Sequence, residues 1–590
     1  MKPVKSKIRF LVVLAVIIGS GCARVAVKTG LDLGPSEIKW ARKTLERMSL
    51  KEKAGQMIAC RYRGHFYNRD NDILNELKSL VLEEKIGGLI LFGGDVYEAA
   101  LLTNELQELS DIPLLISSDL ERGLGNQIDG ATLFPPLMSV GAADSEELAY
   151  NMGRITAVEG RAIGIHLTYA PVVDVNINPD NPIINTRSVG ESPEQVSRLS
   201  RAFIEGCQEN GLMATAKHFP GHGDTALDSH DVLATIEGDR ARLEKVELFP
   251  FRKAVEAGVM AVMTAHLRIP ALDPEPDLPA TLSTKIITGL LREDMGFKGL
   301  IVTDAMEMGG ITTLYGAAEA ARKAVEAGVD MILLPLKTRE AIEELVRAVE
   351  AGEIAESRID ASVRRILEAK ARLGLDRKRL VDIDALAGII GRKEHLEQAE
   401  MTFNRSVTLV RNQDSLVPVP RFGKRIAVFS LSSDPGGYLA GRTFIREVKK
   451  RVPFAQTFYA EPSSGREFLD EAVDEALDSD VWIIGLFSRL YSSKGTVGLD
   501  EKHVELINDL VKCGKSLVVI SFGSPYFLRH FPEVQAYLCA YRYSDGAQAA
   551  AVRAAFGEID ITGKLPVSIP DLYSIGHGIM LERQTGSKPE

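Results

Sequence analysis

From about residue 40 to residue 375, short apolar runs rich in β-branched residues alternate with longer stretches of helical periodicity, and that alternation leaves few folds open. Runs at 86–92, 113–119, 167–174, 214–218, 261–266, 300–304 and 331–335 read as strands. Between them, segments such as 243–257 and 317–327 carry apolar residues at helical spacing. Repetition of strand and helix implies a parallel sheet. Seven or eight such units close most economically as a (β/α)8 barrel. The fold class expected is therefore α/β, with a TIM-type barrel over 23–375.

The polar residues of this region fall at one place on each unit. Asp119, Asp174, Lys217-His218, His266 and Asp304 each stand at the C-terminal end of a strand run. In an α/β barrel that end carries the active site. A lone strand-end aspartate often does no more than cap the next helix; five positions in register point to a shared purpose. The densest text is Lys217-His218-Phe219-Pro220-Gly221-His222-Gly223-Asp224-Thr225, followed by Asp228-Ser229-His230. It gathers groups that move protons near neutral pH, beside residues that let a backbone turn sharply. Polar groups at this density are costly to bury for structure alone. The stretch reads as an active-site loop, with His222 and Asp224 shaping it.

A second α/β series follows. Residues 376–403 are polar and helical and read as a connector. Over 404–590, runs at 407–410, 425–430, 481–486, 516–521 and 536–539 predict a smaller α/β sandwich, with a closing strand at 563–568. This half has no comparable His/Asp cluster.

Composition narrows the partners. The chain has 590 residues, 81 acidic against 70 basic, and a net charge of −11. No basic cluster is interleaved with aromatics, so nucleic acid is not an expected partner. Neither metal-ligand spacing nor a phosphate-binding glycine loop occurs, and no cofactor is implied. Cys60, Cys207, Cys513 and Cys539 read mainly as small buried hydrophobes. At the N-terminus, Lys2, Lys5, Lys7 and Arg9 precede an apolar run to Ile18 and then Gly19-Ser20-Gly21-Cys22. That is the layout of an export signal over 1–22, and the run is too short to span a bilayer. Gly-Cys after it resembles a bacterial lipobox, which implies lipidation of Cys22 and membrane contact through that anchor. Gly19 stands where the lipobox usually carries leucine, so ordinary cleavage or an uncleaved anchor stays open.

The string from Lys217 to His230, together with Gly299-Leu300-Ile301-Val302-Thr303-Asp304, resembles glycoside hydrolase family 3, and within it the β-N-acetylglucosaminidase branch. Asp228-Ser229-His230 is the telling part, since the β-glucosidase branch generally lacks it. The resemblance covers most of 40–375, and the second half matches the two-domain members. It implies Asp304 as nucleophile and His230, oriented by Asp228, as acid and base. Asp119, Arg187, Lys217 and His218 are the implied sugar-binding residues. Gln127 stands where the branch usually has an arginine, eight residues after Asp119, and offers hydrogen bonds without charge. The implied activity is retaining removal of terminal N-acetylglucosamine from peptidoglycan fragments or chitin-type oligosaccharides. Alternatives on the same fold are a β-glucosidase or β-xylosidase, an enzyme transferring the sugar to phosphate, and a non-catalytic glycan-binding lipoprotein.

Overall fold

The computed structural model describes residues 33–437, 440–488 and 498–584; the signal-like segment 1–22 and Cys22 lie outside them. Eight strands follow one another in the first half: Ile58–Gly64, Gly88–Asp95, Leu115–Ser118, Leu167–Thr168, Thr215–Phe219, Ala261–Thr264, Leu300–Ala305 and Met331–Leu333. Each pairs in parallel with its neighbours in sequence, and the last pairs with the first. Between the fourth and fifth strands the ring closes through single bridges, Leu167 with Met213 and Val172 with Lys217. The result is the α/β barrel that the alternation predicts.

One barrel strand escapes the sequence pattern. Ile58–Gly64 begins apolar, but Arg61 and Arg63 are exposed while Tyr62 is buried, so only its first half reads as a run. Local chemistry fixes the outer helices. Ser192 caps Pro193–Glu209 through the Gln195 N–H, with proline at the first helical position. Ser145 caps Glu146–Ala162 through the Leu148 N–H. Among the described residues no helix is long and apolar enough to cross a membrane.

The second half holds a six-stranded sheet in the order Thr408–Asn412, Ala536–Cys539, Ser516–Ser521, Val481–Phe487, Ile426–Ser432 and Gln456–Ala460. Only the first of these is antiparallel to its neighbour. Segment 563–568 is not a closing strand. Pro566 cannot donate to a ladder, and the segment docks instead on the barrel: the Glu191 N–H donates to the Pro566 carbonyl, and Ser568 donates to the Glu191 carboxylate. Tyr526 and Arg529 of the second half reach Asn176 and Asp180 of the first, at 3.0 and 2.6 Å. Met138 and Ala142 complete an apolar cluster otherwise built by the second half.

The connector packs rather than dangles. Glu159, fully buried, accepts from the Thr132 N–H and hydroxyl, from the Gly391 N–H, and pairs with His395 at 2.7 Å.

Candidate active site

The C-terminal ends of the barrel strands bring the strand-end residues into one ring. Lys217 and His218 belong to the fifth strand and Asp304 to the seventh; Asp119 directly follows the third, and His266 lies just past the sixth. Asp119, Lys217, His218 and Asp304 line a cavity of about 490 Å³, together with Glu121, Arg187, His222, Ser229, His230 and the apolar faces of Ile90, Tyr169 and Met263. Arg61 and Glu307 form an ion pair at its wall.

The ring is held by charge. Lys217 is buried, and its Nζ donates to Asp119 Oδ1 and to Glu121 Oε1, each at 2.8 Å. Arg187 grips Glu121 with two bonds, at 2.8 and 3.1 Å. Burial alone would raise the Glu121 carboxyl, but Arg187 and Lys217 outweigh it and hold it well below the usual range. Burial likewise works against the Lys217 ammonium, and Asp119 and Glu121 still carry it above its ordinary value.

Asp174, completely buried, organises the loop that follows. Its Oδ1 accepts the backbone N–H groups of His218 and His222 at 3.1 and 2.8 Å, and its Oδ2 meets His218 Nδ1 at 2.7 Å. The loop then folds tightly over the fourth unit: a Cβ on Gly223 would fall 1.8 Å from the Val175 carbonyl oxygen, so only glycine fits. His222 spends both ring nitrogens on the loop, at 3.0 Å to the Thr225 hydroxyl and 2.8 Å to that of Ser229. Burial first, and then His218, lower His222 to about 4, which leaves it neutral at physiological pH. Asp224 pairs with Arg242 at 2.7 Å, outside the cavity.

At the far end of the loop, Asp228 Oδ1 accepts the His230 backbone N–H at 2.9 Å and meets His230 Nδ1 at 2.7 Å. Asp228 is buried, whereas the His230 side chain keeps 29% of its surface exposed and lines the cavity. The seventh unit clamps this loop: the Gly309 and Gly310 N–H groups donate to the carbonyls of His230 and Ser229 at 2.8 and 3.1 Å. Gly309 permits the approach, since a Cβ there would lie 2.3 Å from the Asp231 carbonyl oxygen. Asp304 faces the same cavity. Burial would raise its carboxyl; His218, His266 and His230 pull it down to about 2, so it is ionised at neutral pH. His266 donates from Nε2 to the Ala305 carbonyl at 3.1 Å.

An ionised carboxylate and a histidine backed by an aspartate, on one cavity rimmed by hydrogen-bonding groups, suit acid–base attack on a polyhydroxylated ligand. The model for the N-terminal domain of glycosyl hydrolase family 3 matches residues 49–369, and that for the family's C-terminal domain matches 407–584. The chain belongs to glycoside hydrolase family 3. It is a glycoside hydrolase. It is 29% identical over 553 residues to a β-N-acetylglucosaminidase/β-glucosidase of Cellulomonas fimi, covering 91% of this chain and 96% of that one. The structure of a family 3 β-N-acetylglucosaminidase from Paenibacillus sp. FPU-7 superposes with a TM-score of 0.79 at 33% identity, over 90% of this chain and 100% of the other. A β-glucoside phosphorylase bound to 2FGlc gives 0.82 at 29% identity, over 91% and 97%.

Of the residues singled out in the sequence, the structure brings Asp119, Arg187, Lys217, His218, His230 and Asp304 to the family 3 cavity, with Asp228 directly behind His230. Gln127 does not reach it. Its amide accepts from the Gly93 N–H at 3.1 Å and donates to the Asp119 carbonyl at 3.3 Å, bracing the backbone under Asp119. Sequence reasoning passed over Glu121. The available signal was a second carboxylate two residues past a strand-end aspartate, but its two cations come from elsewhere in the chain and only folding reveals them. Asp174 was legible as a strand-end acid; its hold on His218 and His222 was not.

Proposed function

We propose that this family 3 enzyme is a retaining exo-β-N-acetylglucosaminidase that releases terminal N-acetylglucosamine from peptidoglycan fragments or chitin-type oligosaccharides. The observation that carries the reading is the meeting, at one cavity, of an ionised Asp304 with a His230 paired to Asp228. Asp304 attacks C1 and forms a glycosyl ester while His230, protonated at the ring nitrogen not paired with Asp228, gives its proton to the departing oxygen. The imidazole, now neutral, takes a proton from water as that water attacks C1 from the vacated side, and Asp304 leaves as carboxylate. Asp119, Lys217, His218 and Arg187 hold the sugar hydroxyls, and Glu121 fixes Lys217 and Arg187 for that purpose. The printed names of the Cellulomonas and Paenibacillus relatives support the sugar. Export through 1–22 and anchoring through Cys22 belong to the same reading, and loss of lipid labelling in Cys22→Ser tests them.

A second reading, transfer of the sugar to phosphate, is favoured by the phosphorylase neighbour. A histidine acid also leaves room for an anion where a second carboxylate would repel it. The test is turnover of nitrophenyl β-N-acetylglucosaminide and β-glucoside, with and without phosphate, by the wild type, Asp304→Asn and His230→Ala. Hydrolysis of the acetamido sugar alone, abolished in Asp304→Asn, is the expected result. Preference for the glucoside, or turnover only with phosphate, overturns it.

A further inference from the structure

A groove of about 390 Å³ opens beside the main cavity and shares Arg61, Glu307 and Leu334 with it. It lies between the first and last units of the barrel. Ile73, Leu77 and Leu80 come from helix Asp72–Leu82 after the first strand, and Pro335 from the turn after the eighth. These walls are apolar, and Ile73 is 69% exposed.

Position around the ring says what the groove meets. In a closed ring of eight strands, the third to fifth units stand opposite the seventh, eighth and first. Asp119 and Glu121 follow the third strand, Arg187 lies between the fourth and fifth, and Lys217 and His218 belong to the fifth. The groove, with Glu307 just past the seventh strand, is across the cavity from all of them. The His230 carbonyl accepts the Gly309 N–H, two residues beyond Glu307. A departing oxygen has to come within hydrogen-bond reach of the His230 ring. The leaving group therefore passes out on the seventh-unit side, where the groove continues the cavity.

Charge narrows what the groove accepts. Asp72, Glu76 and Glu307 line it with a single cation, Arg61. Arg61 is already paired with Glu307, and Arg339, from outside the lining, is paired with Glu76. Asp72 leaves the balance negative, and no lining cation is uncommitted. An acidic leaving group would lose water there and gain no ionic partner. A neutral pyranose can lay its C–H face on Ile73 and Leu77 and shed water from both.

We propose that this groove is the leaving-group subsite, and that it takes the neutral amino sugar of a chitin-type chain in preference to the acidic N-acetylmuramic acid of a peptidoglycan fragment. Its volume is close to the 490 Å³ of the main cavity, so one pyranose fits. The inference rests on the functional reading above, in which a terminal β-N-acetylglucosaminide presents C1 to Asp304, and it chooses between the two sources named there.

Full-length protein is assayed on three substrates: tri-N-acetylchitotriose, the disaccharide N-acetylglucosaminyl-β-1,4-N-acetylmuramic acid, and nitrophenyl β-N-acetylglucosaminide as the reference. In the wild type, kcat/KM for the triose should exceed that for the muramic acid disaccharide by about tenfold or more. Ile73→Ser, at an exposed position, should lower the triose-to-nitrophenyl ratio of kcat/KM by about threefold. Glu307→Gln releases Arg61 and should raise the disaccharide-to-triose ratio by about threefold, a change that a merely structural role would not produce. Equal or faster cleavage of the muramic acid disaccharide by the wild type overturns the neutral preference. Ratios unmoved in both variants overturn the placement of the leaving group in this groove. Either failure with nitrophenyl turnover intact strikes this inference alone; no turnover of the nitrophenyl acetamido sugar strikes the functional reading, and the groove assignment falls with it.

Discussion

Two histidine–aspartate pairs face the same cavity with the same Nδ1 to carboxylate distance, 2.7 Å, yet they sit in different settings. His218 and Asp174 are both buried, the histidine within a barrel strand, and the other ring nitrogen of His218 lies 3.4 Å from Arg187. Asp228 and His230 sit nine and eleven residues past the end of that strand, in the loop that leaves it, with the imidazole 29% exposed. Asp174 also accepts the backbone N–H groups of His218 and His222, and Asp228 accepts that of its own partner. The contrast teaches that pair geometry alone does not make an acid catalyst. The inner pair is a strut for the cavity wall. The outer pair has the exposure that proton delivery to a departing group requires.

Substitutions should separate the two pairs. Asp174→Ala is expected to have the largest effect, because it strands buried His218 and two N–H groups. Stability should fall by about 3 kcal/mol, read from urea midpoints, and kcat/KM should fall with it. An Asp174→Ala protein as stable as the wild type would break the comparison. His230→Ala should lower kcat by about 10²- to 10⁴-fold on substrates with poor leaving groups, and far less on nitrophenyl substrates that need little protonation. Its stability should change by less than about 1 kcal/mol, as for a partly exposed loop residue.

Acid titration sharpens the contrast further. Asp174, Glu121 and Asp304 all have folded-state values below the ordinary carboxylate range, Asp304 at about 2. The stability they contribute is complete above that ordinary range and is lost as pH falls through the depressed values. The urea midpoint should therefore decline between about pH 5 and pH 2, and Asp174→Ala should show a shallower decline. The smallest effect is expected for Gln127→Ala: a rise in KM of less than about threefold, since only backbone bracing under Asp119 is lost.

Most of what placed the site was local text. Strand-end positions, the Lys217 to His230 string and Asp304 all declare themselves within a few residues, because barrel topology converts position along a strand into position on the active face. What stayed hidden depends on partners distant in sequence. Glu121 matters through Arg187 and Lys217, 66 and 96 residues further on, and sequence spacing cannot announce that. Strand Ile58–Gly64 was obscured by the exposed Arg61 and Arg63 that interrupt its apolar run. Strand Gln456–Ala460 lies at a sheet edge, where partial exposure weakens the apolar signal. Segment 563–568 looked like a strand because its composition suits one; Pro566 and Glu191 settle its docking on the barrel instead. Gln127 aligned with a substrate position by count, but in the fold its amide turns toward backbone.

The central claim is that Asp304 is the nucleophile on a retaining path assisted by His230. The most direct measurement treats the protein with a fluorinated N-acetylglucosaminyl inactivator that forms the glycosyl ester rapidly and releases it slowly, followed by peptide mass mapping. The account predicts one sugar adduct per chain, on the peptide carrying Asp304, and none in Asp304→Asn. An adduct on Asp119, Asp174 or Asp228, or full turnover without any adduct, would contradict it.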